Sequence, residues 1–298
     1  MTVDRRAERL AASVRSRGPT ALLPALVAAR TRLAWRRASV REDARAQVRF
    51  LLEHTRPAAG LDAEVDRVAR AYVRYQARRG ELRWHPELLT SLRVDGLGFL
   101  RGARFAGRGV VLNFVHHGYY DGAFPSIARL GVPAHMVVHP YMLGPEAPVW
   151  LQQHVRIGTA NGGTAVSSAV GTEGLLDLLR RGQVVAIASD VPGRTPVTLA
   201  GRRVLGSFGA ARLACDSGAP VVVLTSEEDD EGPLVRLHEP LDPADHASPH
   251  ELLQRMIAIH ERVLLRWPEA TDLPLSRWGT PVDDLEPGSE RSPEAGRA

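Results

Sequence analysis

Lysine is missing from this chain, whose 38 basic side chains are all arginine, and the absence reads as a genomic base-composition bias. A single cysteine, Cys215, rules out a disulfide framework and suits a reducing cytosol. It lies in the apolar helical stretch 209–217 and reads as a packing residue. No window approaches the roughly 18 consecutive apolar residues of a spanning helix, so any membrane contact is expected to be peripheral. Arg5, Arg6 and Arg9 lead into no long apolar core, so no signal peptide is expected. No G-x-S-x-G elbow occurs, which argues against a serine hydrolase. No H-E-x-x-H or Cys/His cluster occurs either, and no bound metal or redox cofactor is expected. Aromatics make up only 5% of the chain and no nucleic-acid motif accompanies its basic stretches, so nucleic acid is not an expected partner.

What remains is an ordinary soluble composition, 44% hydrophobic and 24% charged, in 298 residues. The charge is unevenly placed. Residues 1–93 hold 20 arginines against 10 carboxylates, whereas the remainder is net acidic. A basic leading third suits an anionic membrane surface or an acidic partner such as a carrier protein. The stretches 20–37, 40–55 and 61–79 carry apolar residues at helical spacing, and Ser39 with Glu42 forms a capping-box signature. Segment 20–37 can either pack into a core or lie flat on a lipid surface with its arginines near headgroups.

From about residue 94 the periodicity changes. Strands are expected at 110–115, 134–139, 183–189, 195–199 and 220–226, with helices at 121–130, 145–154, 171–181, 209–217 and 250–267. This rhythm predicts an α/β fold with a mixed, largely parallel sheet flanked by helices. The organisation expected is a helical region (1–93), an α/β domain (94–280) and a disordered tail (281–298) rich in Pro, Gly, Ser and Glu.

The densest chemistry lies where the run Val110–Val115 meets His116, His117, Gly118, Tyr119, Tyr120 and Asp121. A strand ending in an imidazole, with a carboxylate at the next helix N-terminus, supplies the minimum for taking a proton from a hydroxyl. Spacing alone does not choose between His116 (H-x4-D) and His117 (H-x3-D), which face opposite ways on a strand.

His116–Asp121 resembles the H-x-G-x-x-[DE] block of the lysophospholipid acyltransferase superfamily. The likeness is to its branch of lipid A lauroyl/myristoyl and phosphatidylinositol-mannoside acyltransferases. It continues in order through Val94-Asp95-Gly96, the 175–185 region, Ser189-Asp190-Val191-Pro192-Gly193, Gly206, 209–221, Pro268-Glu269 and Arg277-Trp278. The resemblance implies a glycerol-3-phosphate-acyltransferase-like fold, with His116 as general base and Asp121 as its partner. It implies an acyl-CoA or acyl carrier protein donor and a glycolipid or other hydroxyl acceptor, at the inner face of the cell membrane. Substrate contacts are expected from Gly118, whose following amides would stabilise an oxyanion, and from His139, Arg156, Asp190, Gly193 and Arg194. His117 is expected to pack or hydrogen-bond.

Two departures bear on the acceptor. Tyr119-Tyr120 stands where relatives carry Asn-Trp, and His139-Pro140 where they carry an Arg-Pro-like pair. The competing readings are an acyltransferase tailoring a soluble secondary metabolite, a thioester hydrolase, and a non-catalytic lipid- or carrier-binding protein.

Overall fold

The computed structural model describes residues 5–105 and 107–278, so the expected tail at 281–298 lies outside the described residues. Four helices lead: α1 (Arg5–Ser16), α2 (Leu23–Trp35), α3 (Ala38–Leu52) and α4 (Leu61–Leu82). Then follow β1 (Arg93–Asp95), α5 (Leu97–Phe105), β2 (Val110–Phe114), α6 (Tyr120–Arg129), β3 (Ala134–Val138), α7 (Val149–Gly158) and β4 (Thr164–Ser167). The chain continues through α8 (Gly171–Arg180), β5 (Val184–Ala188), β6 (Thr195–Leu199), β7 (Arg202–Gly206) and α9 (Gly209–Ser217). It closes with β8 (Val221–Asp229), β9 (Gly232–Leu237), α10 (Pro249–Arg266) and α11 (Pro274–Trp278).

The main sheet has seven strands in the order β1-β9-β8-β2-β5-β3-β4, and β6 and β7 form a separate antiparallel pair. Only β8 and β9 run antiparallel in the main sheet, joined by a hairpin; its other neighbours are parallel. The fold is therefore α/β with a mixed, largely parallel sheet flanked by helices. Strands β2 and β5 are buried at every position, which is why they read as continuous apolar runs instead of alternating ones. Val111, Val185, Ile187, Val221 and Val223 face a core shared with α8, α9 and α10. Val110, Leu112, Phe114, Ala186, Val222 and Leu224 face the core under α5 and α6. The leading helices have a smaller core of their own, centred on Val48, Leu52, Val65, Val68 and Tyr72. They are tied to the rest by polar bonds, among them Leu275 N to Gln47 Oε1 (2.9 Å) and Gln76 Nε2 to the Thr271 carbonyl (3.3 Å).

Three local expectations are corrected. The helix expected at 145–154 lies at Val149–Gly158, because Pro148 occupies its N-cap position and starts it later. Ser39 sits inside the first turn of α3, whose N-cap is Arg37 and carries no side-chain cap. The capping bond forms instead at Ser248, which accepts from Glu251 N (3.2 Å) at the start of α10. Strands β1, β4, β7 and β9 and helix α5 are additional to the expected elements; β1 and β4 lie at the edges of the main sheet, where burial imposes little pattern.

Candidate active site

Register positions the site. Parallel strands β2 and β5 pair Phe114 with Ala188, so the residues two places beyond, His116 and Asp190, leave the sheet side by side at its carboxyl edge. Clefts of open α/β sheets form at that edge. Asp190 grips His116 twice: Oδ1 lies 2.8 Å from the ring Nδ1, and Oδ2 accepts from the His116 amide at 2.8 Å. Beneath them, Asn113 donates to the Ser189 hydroxyl (2.7 Å) and pairs with His260 Nε2 (2.9 Å), tying β2, the β5 loop and α10 together. Asp272 closes the other side, its amide donating to the His116 carbonyl at 2.9 Å.

The expected His116–Asp121 pair does not form. Successive residues of a helix turn by about 100°, and at the start of α6 it is Tyr120 whose ring lies beside the imidazole (centroids 4.6 Å apart). Asp121 is directed instead towards α4 and α7. Its Oδ2 accepts from Arg79 Nε at 2.9 Å, and Arg83 Nη2 lies 4.0 Å away. His154 Nδ1 stands 2.5 Å from Asp121 Oδ1, an electrostatic contact outside hydrogen-bond geometry. Arg79 also pairs with Asp272 (2.9 Å), donates to the Tyr120 hydroxyl and covers the Tyr120 ring face. Arg277 joins Asp272 at 2.6 Å and approaches Asp190 at 3.9 Å.

Ionisation follows these contacts. Burial lowers the His116 pKa below its usual 6.5, and Asp190 opposes that shift only in part, so the ring is neutral at pH 7. Burial works against ionising Asp190, yet His116 and Arg277 hold its carboxyl below the usual range. Asp121 is likewise buried, and Arg79, His154 and Arg83 hold it far below that range. His117 is sealed away: its Nε2 faces the Trp267 carbonyl at 3.0 Å, and burial takes its pKa down to about 4. The packing role expected of His117 matches this environment.

A cavity of about 430 Å³ opens above the pair. Its lining combines the polar side chains of Gln76, Arg79, Arg83, His116, Asp272 and Arg277 with the apolar ones of Phe114, Met136, Val138, Met142, Leu151 and Val191. The His116 side chain is 14% exposed, enough for the ring to meet a ligand there. A second cleft of about 500 Å³ lies between α2 and α4 on the opposite side of α4, and no histidine lines it.

The other expected site residues divide. His139 lies at the cavity rim, its Nδ1 accepting from the Tyr141 amide (3.2 Å). Gly118 has a positive φ of 59°, and a Cβ there would stand 2.5 Å from Ser226 Oγ, so backbone shape and packing both require glycine. Of the amides that follow Gly118, Tyr119 N donates to Ser226 Oγ (2.7 Å), and Gly118 N itself donates to the Ala270 carbonyl (3.0 Å). Gly193 allows two chains to cross, since a Cβ would sit 2.0 Å from the Gly206 carbonyl oxygen. Arg194 is exposed and does not line the cavity. Arg156 is also exposed, lining a separate hollow with Arg9 and Trp84, because it lies two residues from His154 and so on the other side of α7.

Sequence reasoning missed Arg79, Arg83, His154, Tyr120 and Asp272 as site residues. One signal was present: Gln76, Arg79, Gly80 and Arg83 recur at i, i+3, i+4 and i+7, one stripe of one helix. Among the described residues, no three His, Cys, Asp or Glu side chains are grouped as metal ligands, and no helix is long and apolar enough to cross a membrane.

No family model and no curated protein matches the chain. Among solved structures it is similar to the 1-acyl-sn-glycerophosphate (LPA) acyltransferase PlsC from Thermotoga maritima, with 12% identity and a TM-score of 0.41. That match covers 69% of this chain and 84% of the other.

Proposed function

We propose that the protein is an O-acyltransferase in which His116 is the general base and Asp190 its partner. The observation that carries this is the His116–Asp190 pair, 2.8 Å apart and opening into a cavity lined by both arginines and apolar side chains. A neutral imidazole whose Nδ1 is held by a carboxylate leaves Nε2 to accept a proton. The acceptor hydroxyl gives that proton to His116 as its oxygen attacks the carbonyl carbon of an acyl thioester. Asp190 stabilises the imidazolium that forms. Collapse of the tetrahedral intermediate breaks the C–S bond, and the imidazolium returns the proton to the departing thiolate. The ester and a free thiol are the products.

The apolar part of the lining suits a fatty acyl chain, and its arginines suit an anionic donor or acceptor. The motif order along residues 94–278 supports a thioester as the electrophile, from acyl-CoA or acyl carrier protein. It also supports a glycolipid hydroxyl, phosphatidylinositol-mannoside-like, as the acceptor. Asp121 in this reading is a positioning residue: it fixes Arg79, which holds Tyr120 against the His116 ring.

The test is thiol release from palmitoyl-CoA by the purified protein, with and without actinobacterial polar lipids, alongside His116→Ala. Acceptor-dependent release that falls by at least about 10²-fold in the variant supports acyl transfer. Release that needs no acceptor and is lost in the variant means a thioester hydrolase. Activity unchanged in His116→Ala overturns the assignment of the base.

A further inference from the structure

Tyr120 stands where relatives carry tryptophan, and the difference is a phenolic hydroxyl beside the base. The side chain opens α6, lines the cavity together with His116, and is held on several sides. Its ring centroid lies 4.6 Å from that of His116, 5.9 Å from that of His154 on α7 and 6.2 Å from that of Phe114 on β2. The Arg79 guanidinium of α4 stands 4.5 Å from the same centroid. The residue is only 3% exposed, so the ring cannot turn without repacking its neighbours.

The hydrogen bonds of the hydroxyl are incomplete in one respect. A phenol offers one O–H donor and accepts through its oxygen. Arg79 Nη2 donates to that oxygen, while the Tyr120 proton has no acceptor among the described residues. Arg79 is itself fully engaged, its Nε with Asp121 and its Nη1 with Asp272. The charges facing the phenol are Arg79 and Arg277 against Asp121 and Asp272, two of each sign. Burial raises its pKa, and Arg79 opposes the shift only in part, so the group is a neutral acid at any working pH. A donor whose oxygen already accepts from a guanidinium is polarised and gives a stronger hydrogen bond of its own. A fixed, water-poor donor of this kind acts most strongly on charge that develops during a reaction.

We infer that the Tyr120 hydroxyl donates a hydrogen bond to the oxyanion of the tetrahedral intermediate, as a second catalytic side chain beside His116. The inference rests on the acyl-transfer reading. There the thioester carbonyl oxygen takes up negative charge as the acceptor oxygen adds to carbon, and gives it up when the C–S bond breaks. The phenol keeps its proton throughout.

The test is Tyr120→Phe, which removes the hydroxyl and keeps the ring. Parent, Tyr120→Phe and His116→Ala are compared on palmitoyl-CoA and on palmitoylated acyl carrier protein, with polar lipids as acceptor. Tyr120→Phe should lower kcat about 10²–10³-fold. Its KM should stay within about threefold, because the bond forms fully only in the transition state. The acid bend of log(kcat/KM) should not move, since His116 and Asp190 are untouched. Binding of the unreactive ketone analogue of palmitoyl-CoA, with CH2 in place of sulfur, should also stay within about threefold, which shows an intact site. A Tyr120→Phe kcat close to that of the parent, with His116→Ala inactive, overturns this inference alone. A raised KM at unchanged kcat, a shifted acid bend or lost analogue binding also overturns it, because the hydroxyl would then bind ground-state substrate, act through His116 or hold the fold. Full activity in His116→Ala, or a parent that releases thiol from neither donor, overturns the acyl-transfer reading and this inference with it.

Discussion

Two histidines line the cavity, His116 and His154, each with a buried carboxylate beside its Nδ1, Asp190 and Asp121. Their surroundings differ. Asp190 bonds both the ring and the amide of His116, with the nearest guanidinium, Arg277, at 3.9 Å. Asp121 is held by Arg79 at 2.9 Å, with Arg83 at 4.0 Å. A carboxylate whose charge is neutralised by a bonded arginine lends little basicity to a neighbouring imidazole. In the proposed reaction the same residue types therefore serve proton transfer in one pair and cohesion in the other, and the arginines decide which.

Exchanging each carboxylate for its amide probes the comparison most strongly. Asp190→Asn should lower kcat by about 10²–10⁴-fold, because an amide no longer fixes the Nδ1–H tautomer or stabilises the imidazolium. Asp121→Asn should act mainly on stability, costing about 3–5 kcal/mol in urea unfolding, since it leaves the buried Arg79 short of a partner. Equal losses of kcat and of stability in the two variants would erase the distinction.

Acid should separate the histidines next. His116 must be neutral to act, and burial lowers its pKa, so log(kcat/KM) should bend below pH 6.5 and stay flat through neutrality. Stability should follow His117. Below pH 6.5 the unfolded chain binds a proton that the folded His117 refuses until about pH 4, so stability falls across that window. The loss is roughly 3 kcal/mol from this group, read from urea midpoints against pH. Asp190 and Asp121 add to the acid loss in the same direction, because their folded pKa values lie below the unfolded ones and their stabilisation disappears as pH falls through them.

Gly193→Ala reaches the first pair indirectly. A methyl 2.0 Å from the Gly206 carbonyl oxygen forces the loop that follows Asp190 to shift. A cost of about 1–3 kcal/mol in urea unfolding is expected, with the His154–Asp121 side undisturbed. The smallest effect belongs to Arg156→Ala and Arg194→Ala, both outside the cavity. Stability should change by less than about 0.5 kcal/mol, with kcat/KM within about twofold in a turnover assay. A large loss in either would relocate the substrate-binding surface.

The central strands, the helices flanking them and the placing of His116 at a strand end were legible in the sequence because buried parallel strands are written as apolar runs. Thr195–Leu199 and Gly209–Ser217 form where the periodicity places them. Edge strand β4 was not legible, since none of its residues is fully buried. Among site residues, His116 and Asp190 were both legible as chemistry at strand ends, but not as a pair. They lie 74 positions apart, and only the β2–β5 register makes them neighbours.

Local pattern thus determined the α/β class, the imidazole at the carboxyl edge and the all-arginine helical start, since each depends on residues close together in the chain. Tertiary structure decided which carboxylate serves which histidine, that α4 lines the cavity with Arg79 and Arg83, and which ring packs beside His116. Those outcomes depend on strand register and on the angle at which a side chain leaves its helix, and sequence spacing specifies neither across elements far apart in the chain.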